Sequence, residues 1–165
     1  MLKARRQKCR KCGLVKPLKD FVKDRRLKSG YTKICKQCKR DAARKVVYSD
    51  PVRAFAVNTL KNHKRRGCKI EITPEDIVKK AEFRKVCPIC GRTIHWDPEM
   101  RKLDRMRSPS LDRINGEKVI RHDNYEIICV RCNMAMGDGN YEELLEWCKD
   151  VLVHYGYRVV DGGYD

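Results

Sequence analysis

The chain has 165 residues, of which 41% are hydrophobic and 37% are charged, and its formal net charge is +17. A chain of this length forms one domain or two small ones, and its composition leaves little apolar material for a large core. No stretch approaches the roughly 20 consecutive apolar residues that a membrane span needs, so the sequence argues against a membrane protein.

The front of the chain, residues 1–50, is predicted to form short strands followed by a helix. A basic arm covers residues 1–8, and strands are expected at residues 15–22 and 32–34 around a turn rich in serine and glycine. A helix of two to four turns is expected directly after Cys38. This segment is the first predicted domain.

Residues 51–86 are predicted to form a helical linker. Pro51 suits the first position of a helix with Asp50 as its N-cap, and Gly67 suits the position after its C-terminal end. Thr73 is followed by a proline and two acidic residues, which is a typical start for a second helix.

Residues 87–156 form the last predicted domain, and residues 157–165 form a tail without a clear pattern. Within this domain, residues 94–109 show little periodicity and are expected to form a loop or a ragged hairpin. Residues 141–155 predict an amphipathic helix that packs on the core. Its apolar face comprises Leu144, Leu145, Cys148, Leu152 and Tyr155, with Trp147 beside it.

Eight of the ten cysteines form four Cys-x-x-Cys pairs, and in chain order these make two sets of four. Two such pairs can give four thiolates to one tetrahedral zinc ion, so the sequence predicts two structural zinc sites. The alternative is disulfide bonds in a secreted protein, but no apolar segment follows the basic N-terminus as a signal peptide would require. The first set is Cys9, Cys12, Cys35 and Cys38; the second is Cys87, Cys90, Cys129 and Cys132.

Several expectations follow from this cysteine pattern. Cys-x-x-Cys-Gly begins both sets, which indicates one treble-clef-like zinc architecture used twice in an α+β fold. Cysteines that bind zinc must stay reduced, so the predicted zinc sites indicate an intracellular, cytoplasmic protein. The two remaining cysteines, Cys68 and Cys148, are expected to be buried free thiols.

The positive charge is concentrated in the front of the chain. Residues 1–66 hold 23 Lys and Arg against 4 Asp and Glu, a net charge of +19, whereas residues 67–165 hold 16 against 18, a net charge of −2. Such a segment favours a polyanion as its partner, because cations bound to phosphates release condensed counterions. Double-stranded DNA is the expected partner. RNA is less favoured, because few aromatic residues lie between the charges, and a merely solvated surface usually mixes signs. The candidate DNA-binding residues are Lys3, Arg5, Arg6, Arg25, Arg26, Lys39, Arg40, Arg44, Lys64, Arg65 and Arg66.

Residues 110–138 contain the strongest functional pattern. Asp112 ends a short apolar segment, Asn124 lies in a polar loop, and Asn133 directly follows the Cys129–Cys132 pair. The pattern predicts a strand, a loop, a second strand and a helix that begins near Asn133. This order can bring an aspartate oxygen and an asparagine oxygen to one hard cation, with positions left for water and phosphate.

The order Asp-Arg-Ile, then Asn, then Cys-x-x-Cys-Asn resembles the HNH, or ββα-metal, endonucleases, especially phage and restriction-type members braced by four cysteines. The resemblance covers residues 87–155 and extends more weakly to the front cysteine segment. It implies that Asp112 and Asn133 hold a catalytic Mg²⁺ or Mn²⁺ ion and that Asn124 braces the loop. Arg113 stands where the family usually has its general-base histidine, and some members carry arginine there.

This departure suggests a divided site. Arginine stays protonated and is a poor base, but its planar fork suits a phosphate oxygen, so Arg113 is expected to clamp phosphate. His95 and His122 lie nearest in sequence to the finger and are the first candidates for the base; each of the four histidines, including His63, is otherwise an ordinary surface or packed residue.

The resemblance implies an endonuclease acting on double-stranded DNA in homing, restriction or junction resolution, in the cytoplasm of a bacterium or a phage-infected cell. A two-fold DNA target would suggest a homodimer. The alternative function is a non-cutting, zinc-stapled DNA-binding or regulatory protein, with Arg113 marking the loss of catalysis.

Overall fold

The computed structural model describes residues 5–160, and the chain divides into two compact units, Met1–Asp50 and Pro51–Asp165. The fold is mixed α+β. Six α-helices and four two-stranded sheets occur in the described part of the chain. Among residues 5–160, no helix combines the length and apolar character that crossing a bilayer requires.

The front unit consists of two small hairpins and one helix. Among the described residues of this unit, Phe21 is the one large buried side chain, and Cys9, Cys35 and Cys38 are buried around it. So small an apolar cluster does not stabilise 50 residues by itself. The unit therefore needs the cysteine cluster as a second source of stability. The elements are β1 (Arg6–Lys8) antiparallel to β2 (Val15–Pro17), a 3₁₀ turn (Leu18–Asp20), β3 (Phe21–Lys23) antiparallel to β4 (Tyr31–Cys35), and α1 (Lys36–Ser49).

The rear unit surrounds one core with helices and short strands. Strands β5 and β7 pair in parallel, and β6 and β8 pair antiparallel. The elements are α2 (Pro51–Arg65), β5 (Lys69–Ile70), α3 (Pro74–Phe83), α4 (Pro98–Leu103), a 3₁₀ turn (Arg105–Arg107), β6 (Pro109–Asp112), β7 (Val119–Ile120), β8 (Glu126–Cys129), α5 (Val130–Met136) and α6 (Tyr141–His154).

The core of the rear unit joins the predicted linker to the predicted finger. Leu60 of α2 and Ile77 of α3 lie in one buried cluster with Leu111 of β6 and Ile127 of β8. Trp96 packs edge-to-face on Phe55 of α2, with ring centroids 5.4 Å apart. Residues 51–86 therefore share one hydrophobic core with the β6–β8 hairpin.

Local sequence signals account for several helix ends. Thr73 caps α3 through a capping box: its side chain accepts from the Asp76 backbone N–H, and the Asp76 carboxylate accepts from the Thr73 backbone N–H. Gly67 has φ +86°, a left-handed conformation that glycine adopts at low cost after a helix. Both predicted boundaries are confirmed.

Two expectations were wrong: the first overlooked a local helix start, and the second concerns packing beyond the local pattern. Residues 94–109 contain α4, which Asp97 caps by accepting from the backbone N–H groups of Glu99 and Met100. In α6 only Leu144 is buried, whereas the rest of the apolar face is exposed, including the thiol of Cys148 that was expected to be buried. Cys68 is buried as expected.

Candidate functional site

The front cysteines form a closed four-sulfur cluster. The β1–β2 turn supplies Cys9 and Cys12, while Cys35 and Cys38 come from the end of β4 and the first turn of α1. The Cys35 backbone N–H donates to Cys9 Sγ at 3.3 Å, and the Cys38 backbone N–H donates to Cys35 Sγ at 3.5 Å. The pKa of the Cys9 thiol is lowered to about 6, chiefly by the backbone N–H of Cys12 and then by that of Cys35. These donors favour the thiolate, the form that binds metal.

The rear cysteines repeat this arrangement. The Cys129 backbone N–H donates to Cys87 Sγ at 3.3 Å, and the Cys132 backbone N–H donates to Cys129 Sγ at 3.5 Å. Gly91 donates its N–H to the Cys87 carbonyl at 2.9 Å, as Gly13 does to that of Cys9 in the front unit at the same distance. Two knuckles of one design therefore hold the two clusters.

Both clusters have the dimensions of a tetrahedral zinc site. In each set all four sulfurs lie within 4.8 Å of one another; Cys9 and Cys38 sulfurs are 3.9 Å apart, and Cys90 and Cys129 sulfurs are 3.8 Å apart. Zn–S bonds of about 2.3 Å in a tetrahedron put sulfurs about 3.8 Å apart. The donor sets thus fit two structural zinc ions.

Asp112 and Asn133 are brought to the same side of the β6–β8 hairpin. Along β6, Pro109 and Leu111 are buried in the core, while Ser110 and Asp112 point to the opposite face. The Asn133 side-chain nitrogen donates to Ser110 Oγ at 2.8 Å, so α5 lies over the face that carries Asp112.

The carboxylate of Asp112 lies at a pocket with a volume of about 260 Å³. Ile128, Met136 and Tyr141 are among the residues that line it. Burial raises the pKa of Asp112, and the nearby charge of Glu126 adds to this, against the lowering effect of the Arg113 backbone and guanidinium. An ionised Asp112 is therefore poorly solvated in this pocket, a condition that a bound cation relieves.

Glu126 is the residue opposite Asp112 in the β6–β8 register, and no pattern in the sequence marks it as a site residue. Arg84 binds its carboxylate at 3.0 Å, and Lys80 lies 3.4 Å from it. Lys80 belongs to α3 and Arg84 directly follows it, so both cations come from the predicted linker. Glu126 is thus a satisfied carboxylate whose charge still acts on Asp112.

Asn124 is fully buried and holds the loop between β6 and β8. Its side-chain oxygen accepts from the Asn115 backbone N–H at 3.0 Å, and its side-chain nitrogen donates to the Val119 carbonyl at 3.0 Å. These two hydrogen bonds tie Asn124 to both sides of the loop; the bracing role that the family resemblance implies stays a prediction. The braced loop includes Arg113, whose Nη1 donates to the carbonyls of Gly116 at 3.1 Å and Glu117 at 3.4 Å.

His63, near the end of α2, lies within electrostatic reach of Arg113. Burial lowers the pKa of His63, and the charges of Arg113 and Arg66 lower it further. Its Nδ1 lies 3.8 Å from the sulfur of Cys68. His63 is far from the finger in sequence, and only the packing of α2 beside β6 brings the two together.

His95 and His122 have other surroundings. The His95 backbone N–H donates to the Arg107 carbonyl at 2.9 Å, in the segment that leads to α4. His122 is exposed, and its charge acts on Asp76 at the start of α3, lowering the pKa of that carboxyl after the larger effect of Thr73. No contact of either histidine with Asp112, Arg113 or Asn133 is seen among residues 5–160.

The predicted DNA-binding cations are mostly exposed on their own units. Within the front unit, Asp24 holds Arg26 at 3.0 Å, and Arg44 stacks on Tyr48 with 5.1 Å between the guanidinium carbon and the ring centroid. Lys3 lies outside the described residues. All the predicted cations among the described residues are exposed. In the front unit they are Arg5, Arg6, Arg25, Arg26, Lys39, Arg40 and Arg44, and at the end of α2 in the rear unit they are Lys64, Arg65 and Arg66.

The chain was also compared with known proteins. Searches against protein-family models, curated proteins and solved structures each found no match.

Proposed function

We propose that the chain is an endonuclease of the HNH, or ββα-metal, type that hydrolyses phosphodiester bonds in double-stranded DNA with a divalent metal ion. The observation that carries the proposal is the Asn133–Ser110 hydrogen bond at 2.8 Å. It sets Asn133 over the face of β6 that carries Asp112, so a carboxylate and an amide oxygen share one side of a strand–strand–helix unit.

Asp112 and Asn133 would hold the catalytic Mg²⁺ or Mn²⁺. Oxygen ligands suit these hard cations, and burial of the Asp112 carboxylate favours a bound positive charge. When bound, the ion polarises the scissile phosphate and stabilises the leaving oxygen. The rear zinc site fixes Asn133, because Cys132 is its neighbour in the chain.

His63 is a further candidate for the proton acceptor of the attacking water, beside His95 and His122. Burial and two neighbouring guanidinium groups keep its pKa below the usual value, so the ring is neutral at pH 7 and able to take a proton. Arg113 contributes positive charge next to it. That charge is suited to a phosphate oxygen in the transition state.

The front unit is the proposed DNA-binding module. Its cations outnumber its acidic residues by far, and the dianionic Zn(Cys)₄ centre would remove only a small part of the excess. Phosphate contacts of this kind position the duplex without reading its sequence. Homing, restriction and junction resolution all suit such an enzyme.

Supercoiled plasmid tests the proposal. Zinc-loaded protein should nick it with Mg²⁺ or Mn²⁺ and not with EDTA, and Asp112→Ala should abolish nicking while keeping both zinc ions. Asp138→Ala is a matched control, because Asp138 is an exposed aspartate after α5. Equal nicking by Asp112→Ala and the parent would contradict the proposal.

A second candidate is a zinc-stapled DNA-binding or regulatory protein that does not cut. The observation in its favour is that Arg113 hydrogen bonds to two loop carbonyls, which is a purely structural use of the side chain. Tight DNA binding without cleavage, under every divalent metal tried, would favour this candidate over the nuclease.

A further inference from the structure

The two units share more than their cysteine knuckles. In the rear unit, Pro109 of β6 pairs with Cys129 of β8. In the front unit, Phe21 of β3 pairs with Cys35 of β4. Cys35 and Cys129 each begin the second Cys-x-x-Cys pair of their set, and each caps the helix that follows it. Both units therefore have the order strand, strand, helix around their four-cysteine cluster.

This correspondence assigns a front-unit residue to each of three rear-unit site residues. Counted from the strand residue that pairs with the cysteine, the third residue onward is an aspartate in both units, and the next one is an arginine in both. The residue directly after the last cysteine is an asparagine in the rear unit and a lysine in the front unit. The matched pairs, rear residue first, are Asp112 and Asp24, Arg113 and Arg25, and Asn133 and Lys39.

In the front unit these side chains also lie near one another. The β3–β4 ladder is irregular after Phe21, yet the charge of Lys39 reaches the carboxylate of Asp24. Arg26 binds that carboxylate through two hydrogen bonds of 3.0 Å, from Nε to Oδ1 and from Nη2 to Oδ2. Hydrogen bonds from Arg26, and then the charges of Arg26 and Lys39, lower the pKa of Asp24, whereas burial raises the pKa of Asp112. Asp24 is therefore an ionised carboxylate whose charge is already compensated.

The side chains of this front site suit an anion and not a divalent metal ion. An ammonium group has only N–H donors, so Lys39 cannot supply the lone pair that the amide oxygen of Asn133 can supply. Asp24, Arg25, Arg26 and Lys39 together carry three positive charges and one negative charge, and we name them the front basic site. Arg25 and Lys39 are exposed, so a large partner can reach them. Guanidinium and ammonium groups in excess are typical of a phosphate site.

We propose that the front basic site binds a phosphate group of double-stranded DNA, with the ammonium group of Lys39 in the place that the proposed divalent ion has in the rear unit. One strand–strand–helix unit then holds the DNA backbone, and the other carries the proposed metal site. This phosphate site rests on the proposed function only in taking duplex DNA as the partner. It does not require the rear unit to cut.

Binding of the zinc-loaded full chain to a labelled duplex, measured by fluorescence anisotropy without Mg²⁺ or Mn²⁺, tests the proposal. Lys39→Gln should weaken binding about five- to tenfold at about 0.1 M salt, and the slope of log K against log salt should become shallower by about 0.9, the contribution of one phosphate contact. Lys39→Arg keeps the positive charge and should bind nearly as the parent does.

Lys45→Gln is the matched control. Lys45 is an exposed lysine of the same helix and lies outside the front basic site, so its loss should weaken binding less than about twofold, as expected for a screened charge. Zinc content and circular dichroism verify that all three variants stay folded.

The outcomes separate this site from the proposed nuclease. Equal losses for Lys39→Gln and Lys45→Gln would overturn the phosphate site, as would a salt slope that Lys39→Gln leaves unchanged; if the parent still nicks plasmid, the nuclease stands without the site. Binding that depends on Lys39 in a chain that never cuts supports the site and contradicts the nuclease. A parent chain that binds no duplex contradicts both.

Discussion

Asn124→Ala tests how the loop that carries Arg113 is held. The Asn124 side chain is 1% exposed and makes two hydrogen bonds of 3.0 Å, to the Asn115 N–H and the Val119 carbonyl. Truncation leaves both backbone groups without these partners and opens a small cavity.

The expected cost follows from the surroundings of those two groups. A buried group left unsatisfied costs about 1–3 kcal/mol, but Asn115 is exposed and its N–H can turn to water. Val119 is half-buried, so its carbonyl bears most of the loss. We expect the free energy of unfolding of the rear unit to fall by about 2–3 kcal/mol.

Urea unfolding followed by tryptophan fluorescence measures this loss selectively, because both tryptophans, Trp96 and Trp147, lie in the rear unit. Asn58→Ala is the control: Asn58 is exposed in α2, where alanine changes stability by no more than about 0.5 kcal/mol and in the favourable direction. A loss below about 0.5 kcal/mol for Asn124→Ala would refute the bracing argument.

Three further predictions concern metal, salt and pH. Metal analysis should find two zinc ions per chain, and one ion or none would contradict the grouping of the cysteines into two zinc sites. Cys129→Ser should unfold the rear unit, whereas Cys9→Ser should chiefly weaken DNA binding. With about six to eight phosphate contacts, the slope of log K against log salt should be about −5 to −7 and should flatten without residues 1–48; an unchanged slope would move the DNA surface elsewhere. Cleavage should stay constant from about pH 8 down to pH 7 and fall at lower pH as His63 is protonated, because burial first and then Arg113 lower its pKa. Arg113→Ala removes one of those charges, so the drop in cleavage rate should move to higher pH, and turnover should slow about 10²–10³-fold. A pH profile of cleavage that His63→Ala leaves unchanged would show that His63 is not the base.

Local patterns predicted much of this molecule because their physical causes are local. The spacing of Cys9 to Cys12 and of Cys87 to Cys90 reflects the reach of one turn around one ion, and the clusters match it. Thr73 caps the helix that directly follows it, so the sequence around Thr73 is sufficient to place the start of α3.

Two of the missed features depend on contacts between distant segments, whereas α4 was missed although Asp97, Pro98 and Glu99 form a local helix start. His63 approaches Arg113 only because α2 packs beside β6, and no spacing in the sequence encodes that approach. The pattern of α6 identified an apolar face but carried no information on what covers it, so core packing was wrongly expected for residues such as Leu152.

The most direct test of the account is whether Asp112 and Asn133 act on one shared metal ion. Single-turnover cleavage rates should be measured at saturating Mg²⁺ for the parent, Asp112→Asn, Asn133→Ala and the double variant, all zinc-loaded. The account predicts that each single change slows cleavage by at least about 100-fold and that the double variant is scarcely slower than the worse single one, because both remove the same site. Rates close to that of the parent, or losses that multiply in the double variant, would contradict a shared metal site.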